Sequence, residues 1–160
     1  MMPREILRYP HPGLRQKAKE VKELKDVKEL LEDMWITMYE FKGIGLAAPQ
    51  IGENKQIFVA DVEGKRMVLI NPRILTREGE ERGEEGCLSI PEVTVEIPRA
   101  KRIEVEGWNE KGEKIREKFE GLLARVIQHE IDHLHGTLIL DYLSPYEKER
   151  LIKKLREEKK

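Results

Sequence analysis

The chain has 160 residues, the size of one domain, of which 39% are hydrophobic and 38% charged. Its 30 Lys+Arg nearly balance 31 Asp+Glu, which excludes a global field for nucleic acid, and its single cysteine, Cys87, excludes an intrachain disulfide framework. The start MMPREILRYP has no apolar signal core and no run approaches ~18 apolar residues, so the chain reads as a soluble, cytoplasmic single domain over 1–160.

In chain order, DVKELLEDMWITMYEFKG (Asp26–Gly43) places Val27, Leu30, Leu31, Met34, Trp35, Met38 and Phe41 at helical spacing. Asp26 with Glu29 resembles a capping box, and Gly43 supplies a stop. GIGLAAPQIG (Gly43–Gly52) reads as a loop. QIFVADV and KRMVLIN flank Glu63-Gly64 and predict a hairpin. TREGEERGEEG (Thr76–Gly86) is charged and glycine-rich, which predicts an exposed loop. VTVEI (Val93–Ile97) alternates between two prolines, and RIEVEGW and KIREKFE flank NEKG as a second hairpin.

Helical periodicity returns from Gly121 to His135 and ends at Gly136, followed by the short apolar TLIL (Thr137–Leu140). Ser144-Pro145-Tyr146-Glu147 combines an N-cap, a first-turn proline and a capping-box glutamate, and opens a C-terminal helix over 145–158. Strands in the middle with helices near both ends predict an α+β fold: antiparallel or mixed sheets around the 121–135 helix, with an N-terminal amphipathic helix and a C-terminal helix.

The 121–135 helix contains IQHEIDHLHG (Ile127–Gly136). On a helical wheel Leu122, Val126, Ile127, Ile131 and Leu134 share an arc of roughly 180°. His129 and His133 lie ~40° apart at its edge, one ~6 Å turn from each other, so both imidazoles can reach one cation. Glu130 falls inside the apolar arc, where desolvation raises a carboxylate's pKa and suits it to shuttle a proton. His-Glu-x-x-His is a pattern of metal-assisted hydrolysis. His135, on the polar side, and His11, in the YPHPG turn, read as solvated surface residues.

A catalytic site of this type wants three protein ligands and one open position. Gly136 matches the longer protease pattern, but Ile139 stands where its third histidine would fall. Asp141 and Glu147 are downstream carboxylates, and Glu147 is better explained as a helix cap. Cys87, in EEGCLSIPE beside Gly86 and Ser89, fits a tight turn at a strand edge, and an incomplete two-histidine site shifts the weight toward it.

GIGLAAPQ (Gly43–Gln50), EGCLS (Glu85–Ser89) and QHEIDHL (Gln128–Leu134), in this order and spacing, closely resemble the peptide deformylase family. The resemblance runs from RYPHPGLR to DYLSP. It implies a metal-dependent hydrolase that removes the N-formyl group from the N-terminal methionine of nascent polypeptides. It further implies that Cys87, His129 and His133 hold the metal, Glu130 is the general acid/base, and Gln50 and the backbone N–H of Leu88 stabilise the oxyanion. The family's usual ion is Fe2+, and Zn2+, Ni2+ or Co2+ can occupy the site, one per chain. Hydroxide on the metal would attack the formyl carbon while Glu130 takes the proton and returns it to the leaving amine.

Gly43 and Gly45 would let an extended substrate approach the backbone, Ile44, Leu122 and Val126 would form the methionine pocket, and Glu85 joins them as a substrate-binding residue. Arg125 stands where many relatives carry an apolar residue, at the pocket rim near Glu85, and Thr94 replaces a basic residue found in some. The C-terminal helix carries more Lys and Arg than Glu, compatible with ribosome contact, whereas membrane and DNA are not expected partners. Two other readings are a metallo-endopeptidase with the same helix motif, and an RNA-binding module with a structural metal; the second would need a fourth ligand.

Overall fold

The computed structural model describes residues 3–158, apart from the side chains of Asp26 and Glu158. Seven strands and three α-helices follow in order: α1 (Lys28–Glu40), β1 (Gly45–Ala47), β2 (Ile57–Val62), β3 (Lys65–Glu78), β4 (Glu81–Cys87), β5 (Ile90–Arg99), β6 (Arg102–Trp108), β7 (Lys114–Glu120), α2 (Gly121–Leu134) and α3 (Pro145–Glu158). A five-stranded antiparallel sheet runs β1-β2-β3-β6-β7, and β4-β5 form a separate two-stranded sheet. This is the expected α+β architecture.

Strand β2 is buried on both faces, so its sequence is continuously apolar rather than alternating. Phe58, Ala60 and Val62 pack with Ala124, Ile127 and Ile131 of α2. Ile57 and Val59 face the other way, onto Leu30, Leu31, Met34 and Met38 of α1. The sheet is therefore a partition, with α2 on one side and α1 on the other. A third apolar cluster joins the β4–β5 hairpin to Leu138, Ile139 and Leu140, with Leu151 and Leu155 of α3 against it.

The Glu63-Gly64 hairpin is present, both residues adopting positive φ (53° and 86°), as a tight turn between twisted strands demands. The Ser144 cap is also present: Glu147 N–H donates to Ser144 Oγ at 3.2 Å, and Ser144 Oγ donates to Glu147 Oε1 at 2.9 Å.

Three local expectations are corrected. The segment 76–86 is not a loop: β3 continues to Glu78, and β4 begins at Glu81. Its charged side chains line solvent faces while the backbone pairs with β6 and β5. Helix α1 starts at Lys28 after a 3-10 turn, with Val27 at the N-cap; the Asp26 carboxylate of the expected capping box lies outside the described residues. At its far end the left-handed residue is Lys42 (φ 58°), not Gly43. Gly43 is small for another reason: an ideal Cβ there would fall 2.7 Å from Leu88 Cδ1. Within 43–52, Gly45–Ala47 pair with β2 as an edge strand and Ala48–Ile51 form a 3-10 turn.

Candidate metal centre

Helix α2 presents His129, Glu130 and His133 toward the cleft between β1 and the β4–β5 hairpin. Cys87 ends β4, where a register shift between Gly86 and Cys87 turns the strand toward α2. Cys87 Sγ lies 3.3 Å from His133 Nε2, and His133 Nε2 lies 3.2 Å from His129 Nε2. The ligand atoms of Cys87, His129 and His133 all fall within 4.8 Å of one another, the sole such cluster among the described residues.

The donor set fits a divalent metal. An ion at bond lengths of about 2.0 Å to nitrogen and 2.3 Å to sulfur keeps tetrahedral ligand atoms roughly 3.3–3.6 Å apart. Electrostatics agree. Burial would raise the Cys87 thiol, but the charge of His133 and contact with His129 bring it well below its ordinary value. Burial would lower His129, yet Cys87, Glu130 and Glu85 raise it. The two shifts are mutual, a thiolate and an imidazolium stabilising each other, and a divalent ion would take the place of the imidazolium proton beside the thiolate. One thiolate and two imidazoles suit Fe2+ or Zn2+ better than a hard cation.

The remaining expected residues surround these ligands. Gln50 is 2% exposed; its side-chain oxygen accepts from Ala47 N–H at 2.9 Å, which aims Nε2 at Ser89 Oγ (3.2 Å) and Cys87 Sγ (3.6 Å). Glu130 is buried, and burial raises its pKa. Its Oε1 has no hydrogen-bond partner among the described residues, nor has His133 Nδ1. Gly43, Ile44, Gly45, Glu85, Leu122 and Val126 line one cavity of about 550 Å³ together with Gln50, Cys87, Leu88, His129 and Glu130. A larger hollow of about 870 Å³ on the opposite side of α2 holds none of the three ligands.

Arg99 was not foreseen. Its guanidinium forks onto Glu85, Nε to Oε2 and Nη2 to Oε1, both at 2.8 Å. Glu85 Oε1 also accepts from His129 Nδ1 (2.9 Å), and Oε2 from Arg125 Nη1 (2.7 Å). Burial alone would raise the Glu85 carboxyl, but Arg99 and His129 lower it to about 2. Glu85 thus orients a candidate ligand and is itself held by two cations. Arg99 Nη1 extends the chain to Asp132 Oδ2 (2.7 Å) and Tyr142 Oη (3.0 Å). Arg99 follows Pro98 in an unremarkable strand end, and no local signal marks it. As expected, His135 is exposed; His11 Nδ1 accepts from Gly13 N–H at 2.9 Å.

A paired-imidazole helix with a thiolate and a buried carboxylate defines a metal-dependent hydrolase site. Residues 3–149 match the polypeptide deformylase family. A peptide deformylase of Thermotoga sp. (strain RQ2) is 49% identical over 149 residues, covering 92% of this chain and 91% of the relative. The crystal structure of peptide deformylase from Thermotoga maritima superposes with a TM-score of 0.86 at 47% identity, covering 89% of this chain and 99% of that one. The peptide deformylase from Ehrlichia chaffeensis in complex with actinonin superposes with a TM-score of 0.93 at 35% identity, covering 99% and 98%. The chain belongs to the peptide deformylase family.

Proposed function

We propose that residues 1–160 form one catalytic domain that hydrolyses the N-formyl amide of methionine at the start of nascent polypeptides, releasing formate and a free amine. Cys87, His129 and His133 would hold one divalent ion. Bound there, such an ion would supply Lewis-acid chemistry and lower the pKa of a water toward neutrality. Fe2+ is the ion this reading assigns, with Zn2+, Ni2+ or Co2+ able to replace it.

The protein's own residues account for the rest. Glu130, desolvated and short of partners, accepts the proton of the attacking water and hands it to the amine as the carbon–nitrogen bond breaks. Gln50 Nε2, held by Ala47 and Ser89, and the backbone N–H of Leu88 face the developing oxyanion. Strand β1 is the edge of its sheet, so an extended substrate can add beside Gly43–Gly45 and send its side chain toward Ile44, Leu122 and Val126. The observation that carries this reading is the buried Glu130 carboxylate beside a three-ligand cluster. An endopeptidase is not favoured: Ile139, where its third histidine would stand, is core at 2% exposure.

This reading places the chain in the cytoplasm, with nascent chains as partners and ribosome contact through α3; no helix among the described residues is long and apolar enough to cross a membrane. The test is an anaerobic assay on formyl-Met-Ala-Ser with metal analysis. Cys87→Ser is expected to lose metal or change reactivity, and Glu130→Ala to keep metal without turnover. Full activity in both variants would overturn the assignment.

A further inference from the structure

The candidate ligands come from two elements: Cys87 from the β4–β5 hairpin, His129 and His133 from α2. How the hairpin sits on the helix therefore decides the ligand triangle. Alternate residues of a strand share a face about 6.6 Å apart, and helix residues four apart share a face about 6 Å apart. Two such rows can run side by side nearly in step, and here they do. Gly83, Glu85 and Cys87 of β4 meet Arg125, His129 and His133 of α2 in that order. An ideal Cβ on Gly83 would lie 3.1 Å from Arg125 Cζ. Glu85 Oε1 accepts from His129 Nδ1 at 2.9 Å, and Cys87 Sγ lies 3.3 Å from His133 Nε2.

The rung formed by Arg125 is tied to the hairpin at three points. Nη1 donates to Glu85 Oε2 at 2.7 Å and to Ile97 O at 3.0 Å, and Nη2 donates to Glu81 O at 2.7 Å. Two of these acceptors are backbone carbonyls, one in β4 and one in β5, which move only if the strands move. A planar guanidinium bonded to several fixed acceptors sets both distance and angle, which a point charge on a flexible stem does not. The three atoms nearest to the ideal Cβ on Gly83 all belong to Arg125, so β4 lacks a side chain where the guanidinium lies. The arrangement is a strut in a socket.

We infer that Arg125 is a positioning residue for the metal centre: seated against Gly83, it fixes the β4–β5 hairpin on α2 and so holds the Cys87 sulfur within reach of the ion that His129 and His133 bind. The inference rests on the metal site of the proposed function. Without the strut the hairpin is free to shift along α2, and Cys87, the ligand the hairpin carries, is the one that lets go. Release of the ion then becomes faster while the two histidines, fixed on one helix, keep their spacing.

The test uses the full chain loaded with Co2+, whose thiolate-to-metal absorption reports Cys87 ligation, and follows loss of that band on mixing with excess chelator. Arg125→Leu keeps an apolar stem and lacks the guanidinium; release is expected to be about 10–100-fold faster, with a weaker thiolate band per bound ion. Arg125→Lys should fall between parent and Arg125→Leu. Gly83→Ala intrudes on the socket and should speed release in the parent, yet change it less than about twofold in the Arg125→Leu background, where nothing occupies the socket. A merely structural role would lower the melting temperature of the metal-free protein and leave the band and the release rate of the folded holoenzyme at parental values. Release from Arg125→Leu within about threefold of the parent overturns the inference, as does an equal effect of Gly83→Ala in both backgrounds. A parent that shows no thiolate band with Co2+ removes the proposed metal site, and this inference with it.

Discussion

Glu130 Oε2 occupies the space a side chain on Gly45 would need: an ideal Cβ at position 45 would fall 2.5 Å from it and 3.1 Å from Val126 Cγ1. The proposed acid/base and the proposed substrate strand are thus in van der Waals contact across two elements, α2 and β1. Gly45→Ala should push the carboxylate out of place, lowering kcat at least ~10-fold, with a stability loss of about 1–3 kcal/mol for overpacking. Steady-state kinetics and a thermal melt separate the two effects; unchanged kcat would mean the carboxylate has room to move.

Glu130→Gln keeps the volume and removes the proton acceptor. Turnover is expected to fall by ~100–10,000-fold with one metal ion per chain retained, as measured by metal analysis and initial rates on the same sample.

Arg99 is 5% exposed and its partners Glu85 and Asp132 depend on it. Arg99→Met should destabilise the fold by about 3–5 kcal/mol, because it leaves the Glu85 carboxylate buried with weaker compensation. Since Glu85 orients His129, metal affinity should also fall by ~10–100-fold. Denaturant unfolding and competition with a chelator read the two losses independently.

Chelation should lower the melting temperature and metal restore it. An ion held at ~100 times its Kd stabilises by about 2.7 kcal/mol, worth roughly 5–10 °C in a domain of this size. A melt insensitive to chelator and to added ion would argue against a bound metal.

Asp141 links the segment after α2 to the N-terminal turn and to α3. It accepts from Arg15 Nη2 at 3.0 Å, Lys148 Nζ at 3.1 Å and Leu138 N–H at 2.9 Å. Burial opposes ionisation, but these partners bring its pKa down from 3.8 to about 2. A carboxyl depressed in the folded state contributes fully above its unfolded value, so this stabilisation is present above pH 4 and disappears as pH falls toward 2. With screening of a part-exposed group it is on the order of 1 kcal/mol. Asp141→Asn should therefore lose that increment at pH 7 and show a shallower fall between pH 4 and 2 in denaturant titrations.

The sequence by itself determined what short-range periodicity determines. The ~100° helical repeat brings His129 and His133 to one edge and turns Glu130 inward, the Glu63-Gly64 pair closes its hairpin, and the Ser144–Glu147 pair starts α3. The blocks at 43–50, 85–89 and 128–134 pointed to the family. Residue chemistry alone left Cys87, Asp141 and Glu147 open as a third ligand. The fold brings one of them to the paired imidazoles: Asp141 is engaged by Arg15 and Lys148, Glu147 by Ser144, and Cys87 lies 3.3 Å from His133. Only tertiary pairing made strands of Gly45–Ala47 and of Glu81–Cys87, because their hydrogen-bond partners lie in other segments of the chain. Arg99 was invisible for the same reason. Its meaning is its contact with Glu85, 14 residues away, and with Asp132, 33 away, and no local pattern encodes a pairing that exists only after α2 has docked against the sheet.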